Sequence, residues 1–373
     1  MRYAILCLAL IPLCVCAGCA RADTELSAPF DATERMELRY AEQFAVDFDG
    51  EGRALVTIAG TERFLLVPDG AETPETSDGV TVLHTPLQNI YVAASSAMDF
   101  FSRLDALDAV RFTSTSLSNW SLSPIRDAME AGHLLYAGKY SAPDFELLLS
   151  EGCPLTVEST MIYHSPDIRE QLKALDIPVL VERSSYESHP LGRMEWVKLY
   201  GLLTGKSAEA DAFFTRQADA VEKILTEEST GKTAAFFSVS PNGYVTVRKP
   251  GDYVVKMMEM AGGHYVFSDL LPEEETALST MNMQMEAFYA GARDADILIY
   301  NGAIDGGMET LEELFGKSEL FMNFKAVKNG DVWRTERNLF QETTGVGGII
   351  ADLRAVFDGT ADGETLTYLR RLR

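Results

Sequence analysis

Cysteine is scarce where it could staple a fold. Of the five in the chain, Cys7, Cys14, Cys16 and Cys19 crowd into the amino terminus and only Cys153 lies beyond. A lone thiol excludes a disulfide framework in the body of the protein, and its neighbours in "GCPLTVEST" suit a small core residue better than a reactive thiol. Histidine is equally thin: His84, His133, His164, His189 and His264 occur singly, with no His-x-His or His-x-x-x-His spacing. A zinc or manganese receptor needs several such ligands converging on one ion, and only His164 and His189, in neighbouring loops, could begin that site. Basic residues are outnumbered, 32 against 56 acids, for a formal charge of −24, which argues against nucleic acid as a partner. Neither a Gly-x-Ser-x-Gly elbow nor a His-Glu-x-x-His helix occurs, so an extracellular hydrolase has no signature; paired carboxylates carry no information in so acidic a chain. Beyond residue 20 no run is apolar for the roughly 18 positions of a membrane-spanning helix.

What is present begins at the amino terminus. Arg2 precedes the uncharged run "YAILCLALIPLCVCAG", which has the length and flanks of a signal-peptide apolar region. It ends in "CAGC". Ala17 and Gly18 before Cys19 resemble the bacterial lipobox, in which that cysteine receives lipid and becomes the new amino terminus; Cys16 departs from the pattern, standing where leucine is usual. The alternative is ordinary cleavage near "CARAD".

With 373 residues, 46% of them hydrophobic, the chain exceeds the size of a single growing core, so two compact lobes are expected. Residues 41–67, "AEQFAVDFDGEGRALVTIAGTERFLLV", alternate apolar and polar positions and break at "DGEG" and "AGTE", which predicts a β-hairpin extension followed by a polar connector. From Asn89 strands alternate with helices, which predicts an α/β fold with mostly parallel sheets flanked by helices. The alternation restarts near Lys232. Between the two runs, Ser207 is placed to cap a helix carrying Phe213, Phe214, Ala218, Val221 and Leu225 at helical spacing. About 20 residues give a rod of roughly 30 Å, a crossover stiff enough to allow little hinge motion. The expected division is signal segment 1–18, linker and β-extension 19–88, first lobe 89–206, linking helix 207–229, second lobe 230–359 and tail 360–373.

Three segments carry a resemblance to a known family: "ESHPLGRMEWVKLYGLLTGKSAEADAFF", "KPGDYVVKMMEMAGGHYVF" and "FKAVKNGDVW". Together they resemble the helix-linked solute-binding proteins of ABC importers, which receive ferric siderophores, haem and vitamin B12, over roughly Asn89 to Gly359. The β-extension departs from that pattern. The resemblance implies a monomeric lipoprotein anchored outside the cytoplasm through Cys19. It would carry an iron chelate, preferably a ferric siderophore and alternatively haem or cobalamin, to a permease and its ATPase, with no intrinsic cofactor and no catalysis. It also implies docking on the permease through one glutamate per lobe. "APDFELLLSEGCPLTV" matches the first docking helix and places Glu146 there, and "MQMEAFYAGARDADILIY" places Glu286 in the second lobe. A non-transport surface lipoprotein is the remaining alternative.

In open α/β lobes ligands meet the loops at the carboxyl ends of the strands. Those loops hold aromatic residues Trp120, Tyr140, Tyr163, Tyr186, Tyr244 and Phe340, and bases Lys139, Arg183, Arg248, Lys249, Arg334 and Arg337. Bases gathered at one rim of an acidic protein predict an anionic ligand, and the aromatic rings predict flat walls for a planar solute. Arg248 and Lys249 precede a helix start near Gly251, where free backbone N–H groups would add to their charge. In "ESHPLGRMEW", Pro190 suits a first helical turn with Ser188 or His189 at the cap, Trp196 and Tyr200 share a core face, Arg193 lies toward the pocket, and Glu187 and His189 read as local capping and hydrogen-bonding groups.

Overall fold

The computed structural model describes residues 30–76, 79–270, 279–304, 307–362 and 365–373; Cys19 and the signal segment lie outside the described residues. The first sheet runs β1 (Glu34–Arg35), β2 (Phe44–Phe48), β3 (Ala54–Ile58), β4 (Glu62–Pro68) and β5 (Val80–Thr85) in that spatial order. The predicted hairpins form, and Gly52 and Gly60 take the positive φ that their turns require. β5 runs parallel to β4, so the polar stretch after Pro68 is a crossover rather than a plain connector. The inward residues Phe44, Val46, Val56, Ile58, Phe64 and Leu66 share one core with Trp196, Leu199 and Leu203. That shared core fuses the extension to the first α/β lobe.

A second sheet contains β6 (Ile90–Val92), β7 (Val110–Thr113) and β8 (Leu135–Tyr136). After a small hairpin, β9 (Gly138–Lys139) with β10 (Ala142–Pro143), come β11 (Thr156–Ser159) and β12 (Val179–Glu182). Its order is β12-β11-β6-β7-β8, all parallel. The order reverses between β6 and β11, the switch point at which a crevice opens in such sheets. The third sheet is mixed. β13 (Thr233–Val239), β15 (His264–Tyr265), β17 (Ile297–Tyr300) and β18 (Val332–Thr335) are parallel. β14 (Val245–Arg248), β16 (Thr280–Met283) and β19 (Leu369–Arg371) pair antiparallel to their neighbours. The segment after residue 360 therefore closes a sheet edge, with Tyr368, Leu369 and Leu372 buried.

The helices associated with the second sheet are α1 (Ser95–Arg103), α2 (Ser123–Glu130), α3 (Phe145–Ser150), α4 (Pro166–Ala174), α5 (Pro190–Glu195) and α6 (Val197–Thr204). α7 (Ser207–Leu225) lies in the chain between the two α/β sheets and packs on α6. The later helices are α8 (Tyr253–Met260), α9 (Met285–Ala292), α10 (Leu311–Lys317), α11 (Lys325–Asn329) and α12 (Val346–Asp358), the last packing on α7 and α8. In α7, Phe213, Phe214, Ala218 and Val221 are buried as their spacing requires, whereas Leu225 is exposed. One cap differs from expectation. Ser207 is the first residue of its helix, which has no side-chain cap bond. His189 does cap α5, its Nδ1 accepting the Leu191 N–H at 3.1 Å.

A loop before β2 is strapped across α5. Glu195, fully buried, accepts the backbone N–H groups of Arg39, Tyr40 and Ala41 at 2.8–3.0 Å and lies 3.2 Å from the Lys198 ammonium. Glu187 accepts from the N–H of Glu42, the N–H of Gln43 and the Trp196 indole. It thus makes a local hydrogen bond to Trp196 as expected, but instead of capping a helix it also holds a segment 145 residues away. Gly192 allows this passage, since a Cβ there would stand 2.8 Å from the Tyr40 carbonyl oxygen.

Candidate functional site: a cleft at the carboxyl ends of two sheets

The loops leaving the carboxyl ends of the second and third sheets face one another. They border a chamber of about 970 Å³, open to solvent, between Ser118–Pro124, Arg126 and Asp127 on one side and Ala303, Glu336–Asn338, Gln341, Glu342, Thr367 and Arg370 on the other. A second chamber of about 560 Å³ lies between Ser185–Ser188 and Lys249–Tyr253, with Ser268, Leu270 and Ser279. Both volumes fall in the range that takes small-molecule ligands.

The lobes also touch directly. The buried Asp99 carboxylate of α1 accepts the Thr344 N–H at 2.7 Å and its hydroxyl at 2.6 Å, and the Thr343 hydroxyl donates to the Ser96 carbonyl at 2.9 Å. Burial pushes Asp99 up to about 6, against the lowering effect of the Thr344 hydrogen bonds. Gln341 bridges the larger chamber, accepting the Ser121 N–H at 2.8 Å and donating to the Asn119 carbonyl at 2.7 Å. Glutamine residues are common in loops, and nothing in the sequence singled this one out.

Among the described residues nine large apolar side chains are exposed, and six of them, Tyr136, Met161, Tyr163, Tyr186, Tyr244 and Ile304, stand at the carboxyl ends of parallel strands. Such concentration at one end distinguishes the rim from the rest of the surface. Of the predicted aromatics, Tyr163, Tyr186 and Tyr244 belong to this group. Tyr140 is half-buried at the β9–β10 turn beside exposed Lys139, and neither lines the two chambers. Trp120 lines the larger chamber but is only 2% exposed, its indole N–H donating to the Thr115 carbonyl.

The bases do not form a positive rim. Arg248 is buried 3.5 Å from Asp252 and lies over the Phe340 ring at 5.0 Å. Arg334 is held by Glu309 at 2.9 Å and Glu336 at 3.0 Å. Arg193 is buried with its guanidinium 3.7 Å from the Tyr253 ring centroid, joining the lobes. Lys249 lines the smaller chamber and Arg337 the larger. The larger chamber carries Arg126, Arg337 and Arg370 against Asp127, Glu336 and Glu342, a formal balance of three to three. The expectation of an anion-selective rim is corrected accordingly: an isolated buried charge is costly, and an acid-rich chain supplies each buried arginine with a carboxylate or a ring face. Burial raises Asp252, offset by Arg248, and burial raises Glu182, which accepts the Ser184 N–H at 2.7 Å.

Glu146 and Glu286 are exposed in the first turns of α3 and α9. Each helix follows a strand that ends on the cleft side, so both acids stand at the cleft end of their lobes. His189 is committed to its cap and to a stack on Tyr40 at 4.6 Å. Among the described residues no group of three or more histidine, cysteine, aspartate or glutamate side chains is arranged to hold a metal ion, and no helix is long and apolar enough to cross a membrane.

No family model matches the chain. It is 28% identical over 316 residues to an uncharacterized lipoprotein of Methanocaldococcus jannaschii, covering 79% of this chain and 75% of that protein. A second uncharacterized lipoprotein of the same organism is 24% identical over 285 residues, 73% of this chain and 66% of that protein. Among solved structures, the periplasmic haem-binding protein of Vibrio cholerae superposes with a TM-score of 0.60 at 13% identity, over 74% of this chain and 99% of that one. A periplasmic binding protein of Veillonella parvula gives 0.58 at 15%, over 78% and 94%. A possible iron-binding, periplasmic solute-binding protein of Staphylococcus epidermidis gives 0.55 at 16%, over 72% and 97%. Two α/β sheets facing each other across a chambered cleft, the first all parallel and the second mixed, give this chain the fold of the two-lobed periplasmic solute-binding proteins.

Proposed function

We propose that this protein captures a large solute in the cleft and delivers it to an ABC permease, as an extracytoplasmic lipoprotein anchored through Cys19. One observation carries the reading: each chamber is lined from both lobes, so a solute there would be held by both at once. The lipoprotein relatives support the anchor, and solved structures described as haem-binding and iron-binding support the solute class. Exposed tyrosines offer flat faces, while the balanced arginines and carboxylates suit a solute with both donor and acceptor edges and little net charge. A metal chelate fits that description, a ferric siderophore first, with haem or cobalamin in the same class. Binding rather than catalysis is the role proposed.

Docking would use Glu146 and Glu286, whose carboxylates can register on arginines of a permease through charge-assisted, bidentate contacts. Fluorescence titration against ferric siderophores, haemin and cobalamins tests the solute class. One member should quench emission saturably at equimolar stoichiometry. Failure of every member to do so would rule out the chelate reading.

A further inference from the structure

Two rim tyrosines are built alike. Tyr163 and Tyr186 are 44% and 45% exposed, yet each has an arginine behind its ring, Arg169 at 5.6 Å and Arg183 at 4.6 Å from the centroid. Each arginine is gripped on its far side by the N-terminal segment. Arg169 Nη2 donates to Glu62 Oε1 at 2.6 Å, and Arg183 Nε donates to Gln43 Oε1 at 3.2 Å. The grips are themselves fixed: Glu62 opens β4, while the Gln43 N–H donates to Glu187, the residue after Tyr186. A long guanidinium side chain loses considerable rotamer freedom when held over a ring, and a second anchor on its other face offsets that cost.

We propose that the N-terminal sheet positions the aromatic rim of the cleft, with Glu62 acting on Tyr163 through Arg169 and Gln43 acting on Tyr186 through Arg183. The extension thereby tunes the grip on a planar solute, a consequence that rests on the solute-capture role of the cleft. Glu62 and Gln43 are positioning residues, since neither need touch the solute.

Hydrogen exchange followed by mass spectrometry on the purified protein tests this without a ligand. Glu62→Gln should speed exchange in peptides covering 160–164 by about three- to tenfold, the size of one ordinary hydrogen bond, and leave 184–188 unchanged. Gln43→Ala should do the reverse. Arg35→Ala, which breaks an exposed pair with Asp47 in the same sheet, should move neither. Should a variant fold poorly, Arg169→Lys and Arg183→Lys keep the charge, lose the planar fork and should give the same local pattern. Unchanged exchange in both loops, or equal loosening of both by either variant, overturns the proposal. In a parallel haemin titration each variant should bind a few-fold more weakly. If haemin does not bind the parent protein, the haem form of the solute reading fails, while the exchange pattern still decides the positioning.

Discussion

At the scale of single residues, buried carboxylates here divide by whether they have donors. Glu195 and Glu187 each receive at least three hydrogen-bond or ionic partners and are saturated. Glu158, on β11, is fully buried and neither of its oxygens has a partner among the described residues. Burial alone pushes its carboxyl up to about 8. A carboxyl raised in the folded state contributes stability that is complete below its unfolded value of 4.5 and declines as the pH rises to about 8. Glu158→Gln removes that proton equilibrium. Its melting temperature relative to the parent should therefore climb between roughly pH 5 and pH 8.5; parallel profiles would show that Glu158 finds a partner in solution. The same requirement explains the rim arginines, whose charges are met by Asp252, Glu309, Glu336 and the Tyr253 ring.

At the scale of elements, the strap across α5 adds to the shared core in tying the extension to the first lobe. It also reaches α7, where Arg39 pairs with Glu222 and the Tyr40 hydroxyl donates to the same carboxylate at 2.9 Å. Gly192→Ala would force the Tyr40 carbonyl aside and should cost about 1–3 kcal/mol in urea unfolding, the usual size of an overpacking change. A change within about 0.3 kcal/mol would mean that the strap lifts freely. Much of this level was legible beforehand. Alternation gave the hairpins of β2 to β4, and the helical spacing of Phe213 to Val221 gave α7, because period is a local property of the chain. β5 and β19 were missed because short edge strands such as "VTVLHT" and "LRR" pair with partners that local pattern does not name. The strap was missed for a similar reason, since Glu187 and Glu195 reveal their role only through N–H groups 145 and 155 residues distant.

For the whole molecule, the loops that form the cleft could be located from strand ends, but the partners of its charges could not, because Glu309 and Arg334 meet only when the sheet is assembled. Docking is a property at this scale as well. Replacing Glu146 and Glu286 together by alanine should leave solute affinity intact and abolish uptake by cells carrying the permease; undiminished uptake would place the contact elsewhere. In the proposed role both lobes hold one solute. Calorimetric titration with the best-binding chelate, using Tyr186→Ala from one lobe and Lys249→Ala from the other, which line the smaller chamber from its two sides, tests it most directly. Each variant should bind about tenfold more weakly, or ~1.4 kcal/mol, and an unchanged affinity for either one would contradict a solute gripped from both sides.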